Sequence, residues 1–248
     1  MVETVEGETM KGVILAGGTG SRLLPLTKST NKHLLPVYDK PMIYYPIETL
    51  KRAGIKDILV ITGTHHAGAI FSLLGSGKDF GVNFTFRVQD EAGGLPQAIG
   101  LAKEFVGNDK FVSINGDNIL FDDIGPFVKE FEKGNEKSRI LLYETTKEEA
   151  KKAGVAVLEG DKVTKVIEKP KDPPTNWVAI GVYMYTPHVF EIIKNLKPSA
   201  RGELEISDLH NFYIKDGSLK ASKLKKQWLD AGSFEELLRV NRFVGGEK

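Results

Sequence analysis

The sequence predicts an α/β fold in which a mostly parallel sheet is flanked by helices and carries a β-rich insertion after its midpoint. Three observations predict it. Short apolar runs such as Val13-Ile14-Leu15, Ile58–Ile61 and Phe111–Ile114 read as strands buried on both faces. Helical stripes lie between them with short links, and that alternation implies a parallel sheet covered by helices on both sides. Past residue 150 the alternation stops, and three strand-like segments follow one another closely. The arrangement is Rossmann-like, with the insertion built into it.

The first strand is Lys11–Ala16. Met10 fits a natural start, and residues 1–9 fit no pattern and read as an N-terminal extension. Asp57–Thr62, Phe111–Ile114 and Arg139–Tyr143 repeat the buried-strand signal, whereas Val82–Val88 alternates like an edge or half-covered strand. Ile43, Ile47 and Leu50 form a helical stripe that Gly54 ends, with Pro46 tolerated in the first turn. Leu95–Phe105 and Ile124–Phe131 give two more helices. In the second half Gly154–Leu158, Lys162–Glu168 and Trp177–Tyr185 are strands, the first two joined by a tight turn at Gly160-Asp161. Residues 169–174 form an extended loop. Helices return at Pro187–Leu196, Glu205–Lys215 and Phe234–Val244. With no internal repeat and no linker, residues 10–248 read as one domain.

Composition narrows the function. A chain of 248 residues is long enough to bury a full core. It has no cysteine, which excludes disulfides, thiolate metal sites and a cysteine nucleophile. Lys+Arg is 34 and Asp+Glu 33, and a net charge of +1 argues against nucleic acid as a partner. No apolar stretch approaches the ~20 residues of a membrane span, and acidic residues 1–9 lack the core of a signal peptide. A cytoplasmic protein with no membrane contact is expected. Glycine, at 26 residues, is the anomaly.

Three of those glycines, Gly17, Gly18 and Gly20, follow the first strand in Leu15–Leu23. Such a loop at the carboxyl end of a parallel strand lets the backbone approach an anion and present its N–H groups. It is not a Walker A loop, because Gly20-Ser21-Arg22 stands where Gly-Lys-Ser/Thr is required. It is not a dinucleotide fingerprint either, because Leu23 occupies the third glycine position. A bare turn would not need Arg22 directly behind the glycines, where a guanidinium can clamp phosphate oxygens. Lys32 on its own reads as a surface lysine. Asp117, just after the Phe111 strand, reads in isolation as an Asx turn, and Asp230 as a residue of a helix-entry turn.

The motifs taken together change those readings. Gly17–Leu23, Lys32–Val37 and Lys40–Pro46 resemble the sugar-1-phosphate nucleotidylyltransferases. The likeness continues through Gln89, Gly94–Ala98, Gly116–Asn118, Glu168–Pro170, Pro198–Ile206 and Trp228–Ser233, nearly the whole chain in order. It is strongest to the members that use dTTP and glucose 1-phosphate. The resemblance implies attack of a sugar-1-phosphate oxygen on the α-phosphorus of dTTP, giving dTDP-glucose and pyrophosphate. It implies a nucleotide-binding part at about 10–125 and a sugar-binding part at about 145–232. Leu15, Gly17, Gly18, Thr19, Gly20, Arg22, Lys32, Gln89 and Gly94 would bind the nucleotide. Asn118, Gly154, Glu168, Lys169, Ala179 and Arg201, with the backbone near Gly181, would bind the sugar phosphate. Asp117 and Asp230 would hold Mg²⁺, a cation that takes one or two carboxylates plus phosphate oxygens. Arg22, Lys169 and Asp117 would be catalytic. The attacking group is already an anion, so no general base is needed, and catalysis is positioning and charge neutralisation.

The chain departs from the family at three places. Ala231 and Ser233 stand where threonines are usual, and His33 where bacterial relatives often carry glutamine. The last helix is also followed by little sequence, whereas longer bacterial members continue into helices that build a regulatory nucleotide site. Weak or absent feedback by a dTDP-sugar is therefore expected, with a homo-oligomer possible. Other readings stay open. A uridylyltransferase, or another sugar-1-phosphate specificity, suits the same motifs because an amide reads thymine and uracil equally. A non-catalytic subunit would be expected to lose the charged residues, yet Arg22, Lys32, Asp117, Lys169, Arg201 and Asp230 are all present. A glycosyltransferase usually shows Asp-x-Asp, and Gly116-Asp117-Asn118 has one carboxylate.

Overall fold

A computed structural model describes residues 10–246, so the expected extension at 1–9 lies outside the described residues. The chain enters through β1 (Lys11–Ala16), whose residues 12–16 are all buried. Short 3₁₀ turns carry it to a small hairpin, β2 (Pro36–Val37) and β3 (Lys40–Pro41), and then to α1 (Tyr44–Arg52). Next come β4 (Asp57–Gly63), α2 (Ala67–Leu74) and β5 (Asn83–Gln89). The single helix expected over 95–105 is two, α3 (Leu95–Gly100) and α4 (Lys103–Val106). Gly100 is a poor helix interior residue, and Leu101 and Ala102 there bond three residues back rather than four.

After β6 (Phe111–Asn115) come a three-residue strand β7 (Asn118–Leu120), α5 (Gly125–Lys133), β8 (Ser138–Glu144) and a single turn α6 (Lys147–Ala150). The hairpin β9 (Gly154–Glu159) and β10 (Lys162–Glu168) leads into β11 (Trp177–Tyr185). The helix expected over 187–196 is shorter, α7 (Val189–Ile193), because its last residues again tighten into three-residue turns. The chain closes with α8 (Ile206–Lys215), β12 (Leu219–Lys223), β13 (Trp228–Asp230) and α9 (Phe234–Val244).

The expected fold class is the observed one. Strands β5, β4, β1 and β6 lie side by side and parallel. The next strand, β11, runs antiparallel to β6 and has β8 on its far edge, with β12 parallel to β8. The strands of the insertion extend this same sheet. Residues 182–185 of β11 pair with β6, while residues 178–179 pair with β9 on the same edge. The sheet therefore forks at Gly181. A Cβ there would meet the Asn115 and Asn118 side-chain amides, so glycine lets both stay in place where β11 passes between its two partners. The gap of this fork opens beside the carboxyl end of β6.

Two apolar cores cover the two faces, one around Ile14, Leu50, Val60 and Phe131, the other around Val13, Phe111, Tyr185 and Tyr213. Burying one such Ile or Leu contributes roughly 1.5–3 kcal/mol. A third cluster of Leu23, Met42, Ile119, Leu229 and Val240 fastens α9 and the two-stranded β7–β13 ribbon to the segment behind the glycine loop.

One ion cluster is buried at the root of β8. Arg139 donates from Nε and Nη2 to Glu136 Oε1 at 3.0 and 2.5 Å, and from Nη1 to Glu130 Oε2 at 2.6 Å. The side chains of Arg139 and Glu136 are 6% and 2% exposed. Arg139→Ala leaves Glu136 buried without its main partner, so it should cost about 3–5 kcal/mol in urea unfolding. A loss below about 1 kcal/mol would contradict this account of the cluster.

Candidate active site

The carboxyl ends of β1, β4, β5 and β6 bring four loops together, as parallel α/β sheets do at their ligand-binding edge. The glycine loop leaves β1. Of Gly17, Gly18 and Gly20, only Gly20 has a left-handed backbone, at φ 66°. A Cβ there would lie 2.7 Å from Thr27 Cγ2, and Thr27 Oγ1 donates to the Gly20 carbonyl at 2.9 Å. At Gly17 a side chain would collide with Gln89 Oε1. Gln89 in turn donates from Nε2 to Gln97 Oε1 at 2.5 Å. The bareness of Gly17 thus lets β5 deliver Gln89 directly above β1, and Gln97, unassigned from sequence, orients it.

Asp117 follows β6 and is the buried centre of the site. Its Oδ2 accepts from Lys32 Nζ at 2.6 Å and its Oδ1 from Asn118 Nδ2 at 3.1 Å. Burial alone would raise this carboxyl. The Lys32 ammonium and the hydrogen bonds from Lys32 and Asn118 outweigh burial and hold it well below the usual carboxylate range. Asp230 arrives from β13, paired to β7 opposite Asn118, and Ala231 N–H donates to the Asp117 carbonyl at 3.1 Å. Burial first, and then the charge of Asp117, push the Asp230 carboxyl well above its ordinary value. Gly232 N–H donates to Asp230 Oδ1 at 2.7 Å, and a Cβ on Gly232 would lie 2.6 Å from Arg22 Nη2. Arg22 therefore lies across the Asp230 turn, more than 200 positions away in sequence.

This donor set fits a hard divalent cation. Two oxygen donors are forced together in a buried place, and their mutual repulsion is what a cation would relieve. Among the described residues no group of three or more His, Cys, Asp or Glu side chains is placed to hold a metal ion, so a cation on Asp117 and Asp230 would need phosphate or water for its other positions.

His33 sits behind this pair. A Cβ on Gly116 would lie 2.6 Å from its Cδ2, so the imidazole wedges against the turn that presents Asp117. Burial, and then the Lys32 charge, lower it to about 3, which keeps it neutral. Asn31 Oδ1 accepts the His33 backbone N–H at 2.9 Å and lies 2.8 Å from Nδ1. An amide oxygen only accepts, so we assign the ring proton to Nδ1.

Two cavities meet at these residues. One of about 420 Å³ is bounded by Gly17, Gly18, Thr19 and Lys32 on one side and by Gly63–His66 and Gln89 on the other. The second, of about 260 Å³, occupies the fork of the sheet. Arg22, Asp117, Asn118, Gly154, Glu168, Lys169, Ala179, Gly181 and Asp230 line it. Expected nucleotide-side and sugar-side residues thus fall largely into separate cavities, with the carboxylates and Arg22 in the sugar-side cavity and Lys32 in the nucleotide-side one, salt-bridged to Asp117.

Four expected residues behave differently. Leu15 is buried, and its carbonyl accepts from Gly116 N–H at 2.9 Å, so it supports the Asp117 turn. Gly94, at φ 96°, packs on the Leu204 backbone, where any side chain would collide, and stands outside the lining of the larger cavity. Asn118 was expected to hold sugar. Its side-chain oxygen already accepts from Gly181 N–H at 3.0 Å and Trp228 Nε1 at 2.8 Å, and its amide donates to Asp117, so it braces the site. Arg201 lies on the outer side of Glu168, 3.9 Å away, and is clamped by Glu205 at 2.6 and 3.1 Å rather than facing Asp117.

Lys169 is held in a left-handed backbone at φ 42°, and its N–H donates to the Ala153 carbonyl at 3.1 Å. For a residue with a Cβ this conformation costs of order 1 kcal/mol, and strain of that kind gathers at functional sites. Its Nζ lies 3.7 Å from Glu168, whose carboxyl burial raises. The reading from sequence missed Tyr183 and His210, which line the smaller cavity. His210, kept neutral near 3 by burial, has its Nε2 3.1 Å from Tyr185 Oη. Both lie among apolar residues of a strand and a helix, a pattern that also describes ordinary core.

The nucleotidyl transferase family profile matches residues 11–247, and the chain belongs to that family. Among its relatives, the glucose-1-phosphate thymidylyltransferase of Neisseria meningitidis serogroup A is 43% identical over 95% of this chain and 82% of its own. The nucleotidyltransferase Agl11 of low-salt glycan biosynthesis in Haloferax volcanii is 44% identical over 96% of this chain and 67% of its own. A solved structure of a candidate glucose-1-phosphate thymidylyltransferase from Bacillus anthracis, in complex with a sucrose, superposes with a TM-score of 0.91 at 50% identity, covering 96% of each chain. A UDP-glucose pyrophosphorylase holding UDP-glucose is more distant, at 27% identity and a TM-score of 0.83.

Lys169→Gly removes the cation and the backbone strain together. Its melting temperature should be no lower than that of the parent, while turnover falls about 10²-fold or more. A variant that melts lower yet keeps normal turnover would show Lys169 to be structural.

Proposed function

We propose that the protein transfers a thymidylyl group from dTTP to glucose 1-phosphate, releasing pyrophosphate and dTDP-glucose. One observation carries the reading: Arg22, Asp117 and Asp230, far apart in sequence, converge in the fork cavity with Glu168 and Lys169, and the Asp117–Lys32 salt bridge links that cavity to a second one of nucleotide size. The kinship to thymidylyltransferases supports the choice of base and sugar.

In this reading the nucleoside lies between the glycine loop and Gln89, and Arg22 and Lys32 neutralise the triphosphate. Lys169 orients the phosphate of the sugar, and Glu168 accepts from sugar hydroxyls. A phosphate oxygen of the sugar forms the new bond to the α-phosphorus as the bond to the pyrophosphate oxygen breaks, with no net proton transfer. Asp117 and Asp230 would hold Mg²⁺, which supplies neutralisation of phosphate charge. Lys32 gives Asp117 that compensation until substrate arrives. Consumption of dTTP fits a cytoplasmic location, and no helix among the described residues is long and apolar enough to cross a membrane.

Pyrophosphate release tests the reading. With glucose 1-phosphate, dTTP should be used more efficiently than UTP, and Asp117→Ala should lose at least about 10³-fold in turnover. Faster use of UTP would overturn the choice of base, and a fully active Asp117→Ala would overturn the site.

A further inference from the structure

Among the described residues three other than glycine hold a left-handed backbone: Tyr38 at φ 56°, His66 at 62° and Lys169 at 42°. Tyr38 lies in the two-residue turn between β2 and β3, where a positive φ is the ordinary hairpin geometry, and its N–H donates to Asn241 Oδ1 at 2.7 Å. Lys169 lines the smaller cavity. His66 lines the larger one, and no hairpin accounts for its backbone. A Cβ is disfavoured in this conformation, so glycine would be the unstrained choice there.

The imidazole of His66 has no hydrogen-bond, ionic or aromatic partner among the described residues. It is half-buried, so neither core packing nor a structural hydrogen bond explains its retention under strain. Strained backbone clusters at ligand-binding sites, and this strained residue stands at a cavity wall with its imidazole unpartnered.

Position tells which part of a ligand it would meet. Its loop leaves β4, which lies between β1 and β5. Gly63 pairs with Gln89, and a Cβ on Gly63 would lie 2.9 Å from the Gly17 carbonyl. The loop thus forms a wall of the cavity that the glycine loop and Gln89 also line. Asp117 follows β6 on the other side of β1, and Lys32, on the opposite wall of the cavity from His66, reaches toward it with Nζ 2.6 Å from Asp117 Oδ2. His66 therefore faces the cavity from the wall beside Gln89, opposite the Lys32 ammonium, where a base and its pentose would lie if the phosphates reach toward Lys32 and Asp117.

We propose that His66 binds the nucleoside moiety of the nucleotide substrate, its imidazole packing against the base and pentose opposite the glycine loop. The inference rests on the reading of this cavity as the nucleotide site. It adds a specificity residue that neither motif nor spacing revealed, because a lone histidine at a helix entry looks like any surface residue.

Steady-state kinetics of the full chain in both directions test it, with His66→Gly and His66→Asn, since glycine and asparagine both tolerate this backbone. KM for dTTP and for dTDP-glucose should rise about tenfold in both variants, the size of one lost base-stacking contact. KM for pyrophosphate and for glucose 1-phosphate should stay within about twofold, and the melting temperature should not fall. Unchanged KM for dTTP and dTDP-glucose in both variants would overturn the proposal, whatever the melting temperatures do. So would a rise for all four substrates alike, which would mark a general loss of the site. Failure of the parent protein to turn over any nucleoside triphosphate would instead sink the underlying reading.

Discussion

Two carboxylates share one buried place, and the rest of the site is arranged around their repulsion. Lys32, 2.6 Å away, holds the Asp117 carboxyl down against its burial, and the Asp230 carboxyl is pushed up by burial first and then by the charge of Asp117. A buried charge without a partner is far too costly to keep, so the pair needs either the lysine or a ligand cation. That need couples the apo and loaded states. In the proposed reaction, Lys32 would leave Asp117 for a phosphate only as another cation took its place.

The fold is what forces this crowding. Gly181 permits β11 to fork, the fork makes the smaller cavity, and the β7–β13 ribbon carries Asp230 to the mouth of that cavity. Asn118 fixes both parts, since one oxygen accepts from the fork at Gly181 and from Trp228 on the ribbon. His33 closes the rear of the Asp117 turn as a neutral wedge. Held neutral, the ring adds no second cation beside Lys32, as a glutamine there would also not.

Much of the architecture was legible because parallel core strands are continuous apolar runs, as in Val13–Leu15 and Ile58–Ile61. The three-residue strands β7 and β13 were not, since so short a piece shows no periodicity and exists only through its partner. The same ribbon explains what could be read of the site. Gly17–Arg22 announces an anion-binding loop by its own residues, whereas Asp117 and Asp230 are turn residues until the ribbon joins them. Asn118 and Gly94 show the limit from the other side. Residue type and motif point them at a ligand, and the structure adds a task that neither announces: Asn118 lines the fork cavity while bonding Asp117, and Gly94 packs on the Leu204 backbone.

The central claim is that Asp117 and Asp230 together hold the cation that carries the nucleotide phosphates. Anomalous scattering from a crystal grown with dTTP and Mn²⁺ in place of Mg²⁺ measures it directly. The account predicts one strong Mn²⁺ peak about 2 Å from carboxylate oxygens of both residues and from a phosphate oxygen. A peak coordinated elsewhere, or bound dTTP with both carboxylates unligated and Lys32 still on Asp117, would contradict it.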